Sequence, residues 1–496
     1  MPSRKNAKRW FQGGAILVAL VVGFVAGLVV CHRRQSTSPN AVVPRPGTCA
    51  RTVKNGEYWA TFPLRTDTAP PVDCMYVAGE LIAQAGIDTR KFNLTRADDN
   101  VIPAVGPYPS LALYKLDSPE ADPLDIALRL IENKILAAPN YLLFTGQIVR
   151  YGPYNEPSPA PTGTPPPNSL GATALTPVTV LDTGLDTSAW KAPLVSWPVP
   201  NWGGVGQPIE PPGPIAGHGT FIASIIERAI ANAKVTVVPT PKLLTVTIGP
   251  GLQRLAIDDN ALAKAIGQTT DPILNLSWGS AACGGSVEGG GTPIVTPTVT
   301  STTNDVCLLP SVRNALLTRH IDTAHPLQFV AAAAGNAHVQ TRSYPAAYAL
   351  NACFDSTTPS PKTACPSVSH ASPTAWLLSV GTSDGSPTGP APGAGTAVAP
   401  LTCERATNSN QSGFSNYGNW VTVLAEGGCV YGYLPDTATA KAGIYEWSGT
   451  SFAAPCIAAY LAAGMANEVR NSVTQLLSGS QVELSCKSHL SDNAAR

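Results

Sequence analysis

Four short apolar runs, rich in β-branched residues, constrain the fold of this chain more than any other feature. They occupy residues 178–181, 235–238, 273–276 and 329–333. Stretches with helical patterning alternate with them, and continuous apolar strands that alternate with helices are typical of a parallel sheet covered by helices. The sequence therefore predicts a large α/β domain over residues 173–490, built on a parallel sheet flanked by helices.

Prolines mark the boundary in front of this domain. Seven of them fall between positions 153 and 167, a density typical of an exposed and extended segment. Residues 151–172 are therefore interpreted as a linker. Upstream of it, residues 73–150 are predicted to form a small α+β unit, which follows a spacer at residues 31–72.

Three elements are predicted inside the small unit. Residues 111–116 favour a strand, and a second strand is expected between positions 141 and 149. Between them, Asp122 and Pro123 are a typical start of a helix. Its apolar face is predicted to carry Leu124, Leu128, Ile131 and Ile135.

The N-terminus has the features of a membrane anchor. Residues 13–30 are an uncharged apolar run that is just long enough to cross a bilayer. Four basic residues precede the run and two follow it, which predicts a cytoplasmic segment at residues 1–12 and an extracytoplasmic main domain, periplasmic or at the cell surface. A cleaved signal peptide and a lipidated Cys31 are the alternatives, but no A-x-A cleavage pattern follows the run and Val30 is bulky for a lipoprotein signal.

Charge and cysteine content exclude several functions. Lys+Arg and Asp+Glu number 32 each, so no basic field is available to bind nucleic acid. The 11 cysteines form no C-x-x-C pair and no zinc-finger spacing, and no metal ligand is predicted among them. Disulfides in an oxidising compartment fit them better, with free buried thiols as the alternative. Cys31 lies at the membrane boundary and leaves ten others. The pairs suggested by proximity among them are Cys49/Cys74, Cys283/Cys307, Cys353/Cys365 and Cys403/Cys429, and Cys456 and Cys486 remain.

Three separated motifs carry side chains that could act together in a reaction. Asp182 ends the first apolar run, His218 stands between two glycines at the start of a helical stretch, and Ser451 opens another helix. Each alone has an ordinary structural interpretation, since many strands end in an acid and serine is a common helix cap. An aspartic peptidase would share the Asp-Thr-Gly triplet, but such an enzyme needs a second triplet and the sequence has none.

Taken together, the three motifs resemble the Asp, His and Ser signatures of the subtilisin-like serine peptidases, or subtilases, in the same chain order. The resemblance covers about residues 175–470. Further segments are similar to parts of the same domain, namely residues 275–279, 329–336, 344–346 and 412–418. The chain departs from the family where Phe452 follows the serine and where residues 424–427 replace an Ala-Pro-Gly turn.

The resemblance implies a serine endopeptidase that acts on proteins or peptides. Ser451 would be the nucleophile, His218 the general base and Asp182 the group that orients the imidazole. Asn336, with the backbone N–H of Ser451, would hold the oxyanion. The substrate chain would pair as an added strand with the segment Ser277, Trp278 and Gly279.

The resemblance also implies other features and leaves two alternatives open. The small unit resembles a subtilase propeptide through its position and through residues 138–141, and would block the cleft until cut. The cut is expected between about Tyr151 and Ala172, and within this stretch at Asn168 to Ala172, because proline on either side of a bond resists many peptidases. Family members often bind Ca²⁺, but no ligand loop is recognisable and no cofactor is predicted. A catalytically silent binding protein and a sedolisin-like peptidase, which replaces the histidine with an acid, are the competing interpretations.

Overall fold

The computed structural model of the 496-residue chain describes most of the two predicted globular parts. The described residues are 50–55, 58–63, 74–118, 120–145, 158–159, 170, 174–185, 217–230, 232–240, 243–249, 252–281, 309–336, 343–350, 352–354, 372, 374–382, 415–435, 443–478 and 483–486. The predicted anchor at residues 13–30 and its cytoplasmic flank lie outside them. No helix within the described ranges is long and apolar enough to cross a membrane.

Contacts divide the chain into two units. The first comprises residues 1–52 and 62–70, of which only the ends of two strands are described. The second comprises residues 53–61 and 71–496 and contains both the predicted small unit and the large domain.

The strands and helices of the described residues are numbered in chain order. The strands are β1 (Ala50–Asn55), β2 (Tyr58–Pro63), β3 (Cys74–Gln84), β4 (Leu94–Ile102), β5 (Leu111–Leu116), β6 (Ala137–Thr145), β7 (Ser158–Pro159), β8 (Val178–Asp182), β9 (Val235–Pro239), β10 (Leu244–Gly249), β11 (Leu252–Asp258), β12 (Ile273–Leu276), β13 (Trp278–Ala281), β14 (Phe329–Ala333), β15 (Ser343–Tyr344), β16 (Leu377–Thr382), β17 (Val423–Ala425), β18 (Val430–Leu434), β19 (Gly443–Trp447) and β20 (Glu483–Leu484). The helices are α1 (Thr89–Phe92), α2 (Pro123–Glu132), α3 (His218–Ala229), α4 (Asp259–Gln268), α5 (Pro310–Ile321), α6 (Thr450–Ala462) and α7 (Ala466–Leu477), with 3₁₀ turns at Ala346–Leu350 and Ala352–Phe354.

The large domain is built on a seven-stranded parallel sheet. Its strand order is β20-β17-β16-β14-β12-β8-β9, and every neighbouring pair is parallel. All four apolar runs of the sequence are strands of this sheet, as β8, β9, β12 and β14, which confirms the predicted α/β fold. Because the chain leaves β8 towards β9 on one side and later returns to β12 on the other, the strand order reverses at β8. Ligand sites of open α/β sheets commonly lie at the carboxyl ends of the strands at such a reversal.

The small upstream unit contains the predicted strand β5 and the predicted helix α2. Asp122 caps α2 by accepting a hydrogen bond from the backbone N–H of Leu124 at 2.9 Å. The predicted apolar face of α2 is only partly right. Its most buried residues are Pro123, Ala127 and Leu130, whereas the predicted Leu124 is half-buried and packs against the core. The helix packs on β3 and β6, where a small alanine allows close approach, and Ile135 lies beyond its end.

Strand β6 connects the small unit with the large domain. Its first half pairs antiparallel with β3, with Ala83 opposite Ala137. Its second half pairs antiparallel with β11 and with β13, so that it lies between these two strands of the large domain. One hydrophobic cluster contains side chains from both parts, among them Tyr141 and Leu143 of β6 and Leu262 of α4.

Candidate active site

Neighbouring strands of the parallel sheet deliver three of the predicted site residues to one edge. Asp182 is the last residue of β8, Ser277 follows the end of β12, and Asn336 lies three residues beyond the end of β14. Strands β8, β12 and β14 are adjacent and parallel, so their carboxyl ends meet. This edge is the one at which the strand order reverses.

Asp182 and His218 form a buried pair at this edge. His218 Nδ1 lies 2.8 Å from Asp182 Oδ1, and the same carboxylate oxygen accepts the backbone N–H of Thr183 at 2.8 Å. Asp182 is 0% exposed. Its second oxygen, Oδ2, is buried with no hydrogen-bond partner among the described residues. A buried carboxylate of this kind fixes the tautomer of the imidazole and stabilises its cation.

The glycines beside His218 lie in a crowded part of the site. The imidazole ring contacts Trp447 and Phe452 at centroid distances of 5.5 Å and 5.4 Å. A Cβ on Gly219 would lie 2.6 Å from the carbonyl oxygen of Gly184. Glycine is therefore needed so that the start of α3 can approach the turn after β8.

Ser451 is the second residue of the buried helix α6, which begins one residue earlier than the sequence suggested. The helix packs against β12, β14 and β16 and against α3. The hydroxyl of Ser277 donates to the backbone carbonyl of Ser451 at 3.2 Å. Phe452, the next residue, contacts the ring of His218. These contacts bring the first turn of α6 to the strand edge that carries the Asp182–His218 pair.

Asn336 is held by the residue that precedes Ser451. Its Oδ1 accepts the backbone N–H of Thr450 at 2.7 Å and the Thr450 hydroxyl at 2.9 Å. The same hydroxyl accepts the backbone N–H of Gly335 at 2.9 Å. A Cβ built on Gly449 would lie 3.3 Å from Asn336 Nδ2, so the donor end of the amide lies near the turn before Ser451.

The turn at Gly335 is supported from a second side. Gly335 has φ +99°, in the left-handed region that favours glycine. Asn416 donates from Nδ2 to the carbonyl of Ala334 at 3.0 Å and from its backbone N–H to the carbonyl of Gly335 at 2.8 Å. The segment 412–418 was recognised in the sequence as part of the domain, and its Asn416 fixes the loop that carries Asn336.

The Ser277, Trp278 and Gly279 segment is paired in this structure with the chain itself. Thr145 of β6 lies opposite Trp278, and Phe144 lies opposite Gly279. The backbone of Trp278 and Gly279 thus pairs with an extended strand of the same chain, and pairing with a substrate stays a prediction. The Trp278 side chain does not line a groove, however, because it is 0% exposed and donates from Nε1 to the carbonyl of Leu181 at 3.0 Å.

Two acids, the buried Asp259 and the half-buried Glu227, have strongly raised pKa values. Burial raises the pKa of Asp259 to about 7, although its carboxylate accepts the backbone N–H groups of Ser311 and Val312 at 3.1 and 2.9 Å. Burial likewise raises the pKa of Glu227 to about 9. Burial disfavours the charged form of an acid and accounts for both directions.

His320 and His325 lie close together in the sequence but differ in their surroundings. His325 is exposed. His320 is half-buried and stacks on Trp376 at 4.1 Å, and burial lowers its pKa. Within the described ranges, no three His, Cys, Asp or Glu side chains are grouped so that they could hold a metal ion.

A disulfide joins Cys456 of α6 to Cys486, just after β20. These are the two cysteines that proximity pairing left over in the sequence. Cys353 and Cys429 are disulfide-bonded as well. The partners expected for them, Cys365 and Cys403, lie outside the described residues.

The model of the subtilase family of peptidases matches residues 176–487 of the chain, which is more than half of its length. The chain belongs to the subtilase family. It is a serine peptidase, and the resemblance of its motifs to this family is thereby confirmed. The match includes all the predicted site residues of this subtilase.

Several solved structures are similar to this subtilase at low sequence identity. A lanthipeptide protease is 17% identical, with a TM-score of 0.35, and the match covers 60% of this chain and 79% of that one. The A-subunit of the AB5 toxin from E. coli is 19% identical with a TM-score of 0.31, over 62% and 84% of the two chains. A protease from Pseudoalteromonas arctica is 16% identical with a TM-score of 0.36, over 64% and 89%. No curated protein sequence matched this subtilase.

Sequence reasoning assigned no role to three residues near the predicted site of this subtilase. Thr450 and Trp447 contact predicted site residues, and Asn416 holds the turn before Asn336. Thr450 and Asn416 were both inside recognised motifs, and their polar side chains were the available signal. Trp447 lies outside every recognised motif. Only the tertiary structure brings its ring to His218.

Proposed function

We propose that this subtilase is an endopeptidase that uses Asp182, His218 and Ser451 as its catalytic triad. The buried 2.8 Å pair of Asp182 and His218 beside the first turn of α6 carries the proposal. A silent binding protein of the same fold would have no need for a buried carboxylate against an imidazole, because burying such a charge costs free energy unless it is used or compensated. A sedolisin-like peptidase would carry an acid in place of the catalytic histidine. His218 occupies that position here and pairs with Asp182, which favours the subtilase triad.

In this mechanism, Ser451 Oγ attacks the carbonyl carbon of the scissile peptide bond while His218 Nε2 takes the hydroxyl proton. Asp182 accepts the Nδ1–H of the imidazolium and stabilises its charge. When the tetrahedral intermediate collapses, the C–N bond breaks, and His218 returns the proton to the leaving amine. Water then attacks the acyl-enzyme by the same route and restores the Ser451 hydroxyl.

Asn336 is the proposed side-chain donor to the oxyanion, together with the backbone N–H of Ser451. The hydrogen bonds from Thr450 occupy Oδ1 of the Asn336 amide, which directs Nδ2 to the side of Gly449. A donor held in place before the reaction stabilises the negative charge that develops on the carbonyl oxygen and needs no reorganisation.

The proposed substrate is an extended protein segment that pairs with the backbone of Ser277, Trp278 and Gly279. Strand β6 supports this, because its residues 142–145 pair with β11 on one side and with β13 on the other. Addition of an extended strand is a common mode of peptide recognition. Leu142, Leu143 and Phe144 are all buried there, so we expect substrates with large apolar residues before the scissile bond.

The same pairing supports an inhibitory propeptide at residues 73–150. Several polar contacts attach this unit to helices α4 and α5. Asp98 and Lys264 form an ion pair at 2.7 Å, and Asn140 accepts the backbone N–H of Asn260 at 3.2 Å. The guanidinium of Arg313 lies 3.6 Å from the centroid of the Tyr108 ring. Because β6 fills the proposed substrate position, the unit would exclude other chains until it is cut and released.

The remaining parts of the proposal rest on the sequence. We propose that residues 13–30 anchor the protein in a membrane with the peptidase domain, residues 173–490, on the extracytoplasmic side. Residues 31–72 would be a spacer and residues 151–172 a linker. No cofactor is part of the proposed reaction, and Ca²⁺ would act, if bound, on stability.

One comparison of variants tests the triad and the propeptide together. Wild type, Ser451→Ala and His218→Ala are expressed as full chains, treated with a fluorophosphonate probe and sequenced at their mature N-termini. We expect wild type alone to be cut and to be labelled, at Ser451, since an unassisted serine hydroxyl is a weak nucleophile. No label in well-folded wild type whose upstream unit has been removed would contradict the peptidase proposal.

The position of the cut is an additional outcome of this experiment. The linker region 168–172 is the site favoured by the sequence. The register of β6 supports a cut at the first peptide bonds after Thr145, because Thr145 lies opposite Trp278 and the neighbouring Ser277 contacts Ser451. If wild type is active while its chain stays uncut, the upstream unit is not a propeptide.

A further inference from the structure

Three aromatic side chains from separate elements surround the imidazole of His218. Phe221 of α3, Trp447 at the end of β19 and Phe452 of α6 form this aromatic cluster. Their ring centroids lie 4.9 to 5.4 Å apart, and all three are buried. Two of them, Trp447 and Phe452, also contact the His218 ring.

The hydrogen bond to Asp182 restrains only one atom of the imidazole, Nδ1. Coupled changes of χ1 and χ2 can tilt the ring plane while Nδ1 stays near the carboxylate, and such a tilt would move Nε2 away from a nucleophile. The Trp447 ring stands at 88° to the imidazole, with 5.5 Å between the centroids. Aromatic pairs prefer this perpendicular arrangement, which restrains the tilt that the hydrogen bond leaves open.

Trp447 is itself held in place from two sides. It contacts Phe221 at 5.4 Å and 79° and Phe452 at 5.0 Å. Strand β19, which ends at Trp447, pairs with β18 along its whole length. The ring therefore belongs to a rigid part of the domain and can serve as a fixed wall for the imidazole.

We propose that Trp447 is a positioning residue for the general base, fixing the orientation of the His218 ring through its perpendicular contact. The inference rests on the proposed function of His218. The contacts of Trp447 that carry the inference are those with the rings of His218, Phe221 and Phe452. Replacing Trp447 is therefore expected to lower kcat and to make the His218–Asp182 hydrogen bond less well ordered. KM is expected to stay nearly unchanged.

The test uses a matched pair of tryptophans. Trp376 is as deeply buried as Trp447 and also contacts a histidine, but that histidine is His320, outside the site. We expect Trp447→Leu, produced from the full chain, to lower kcat about tenfold, which corresponds to about 1.4 kcal/mol in the activation free energy. KM should stay within about twofold of wild type. Trp447→Phe should restore most of the turnover, because its ring keeps the aromatic contact. Trp376→Leu should lower the unfolding midpoint without lowering kcat.

A second readout is independent of activity. The proton between His218 Nδ1 and Asp182 gives a downfield proton NMR signal, which should broaden or vanish in Trp447→Leu and persist in Trp376→Leu. An unchanged signal and an unchanged kcat in Trp447→Leu would overturn the proposal, and so would an equal loss of kcat in both leucine variants. If Trp447→Leu does not fold, Trp447→Met is used in its place, because methionine fills the volume with a flexible side chain. The same changes in kcat and in the NMR signal are then expected. A failure of the proposed function would appear separately, as wild type that is not labelled at Ser451.

Discussion

The hydroxyl of Thr450 offers the sharpest test of how Asn336, the proposed oxyanion donor, is held. It donates to Asn336 Oδ1 at 2.9 Å and accepts the backbone N–H of Gly335 at 2.9 Å. Thr450→Val removes both hydrogen bonds and keeps the shape of the side chain. The amide of Asn336 then retains only the bond from the backbone N–H of Thr450 at 2.7 Å.

The expected fall in kcat follows from the loss of one of the two hydrogen bonds that hold the Asn336 amide. One hydrogen bond between neutral groups contributes about 0.5–1.5 kcal/mol, so we expect kcat to fall by about three- to tenfold with KM nearly unchanged. Asn336→Ala removes the donor itself and should lower kcat by about 10²- to 10³-fold, a magnitude known from subtilisin and applied to this relative. Thr450→Val should therefore lie between wild type and Asn336→Ala.

Steady-state kinetics of the processed enzymes on one peptide substrate provide the measurement. Thr450→Ser is the matched control, since it keeps the hydroxyl and should stay within about twofold of wild type in kcat. If Thr450→Val turns over as fast as wild type, the hydroxyl does not orient the amide. If Thr450→Ser is as slow as Thr450→Val, packing of the methyl group and not the hydrogen bond is responsible.

Two further predictions concern stability and are best measured by urea unfolding in the Ser451→Ala background, which prevents self-digestion. The pKa of Asp259 is about 7 in the folded state against 3.8 when exposed, so its contribution is complete below about pH 4 and is lost as the pH rises to about 7. Relative to Asp259→Asn, wild type should lose up to about 4 kcal/mol over that interval, and parallel pH curves would contradict this assignment. Replacing Cys456 and Cys486 together by alanine opens a bridge of sequence separation 30 and should lower the free energy of unfolding by about 3–4 kcal/mol, whereas an unchanged unfolding midpoint would show that the bridge does not stabilise the fold.

The upstream unit shows how far local patterns extend. Strand β5 and the start of α2 agree with the sequence prediction at their first residues, because alternation and a capping pair are local signals. Strands β3 and β4 were not predicted, and β6 begins four residues before the strand expected from position 141. The destination of β6 between β11 and β13 depends on pairing with residues more than 100 positions away, which no local pattern encodes.

Sequence alone determined four of the seven strands of the central sheet and the order of the Asp182, His218 and Ser451 motifs. Both are short contiguous signals, since a buried strand must be apolar along its length and each motif needs particular residues beside the reactive one. Tertiary structure alone decided that Trp278 points into the core, that Thr450 holds Asn336 and that Trp447 meets His218. These contacts join side chains from separate strands and helices, so they exist only after the sheet and α6 have packed, and neighbouring residues along the chain give no sign of them.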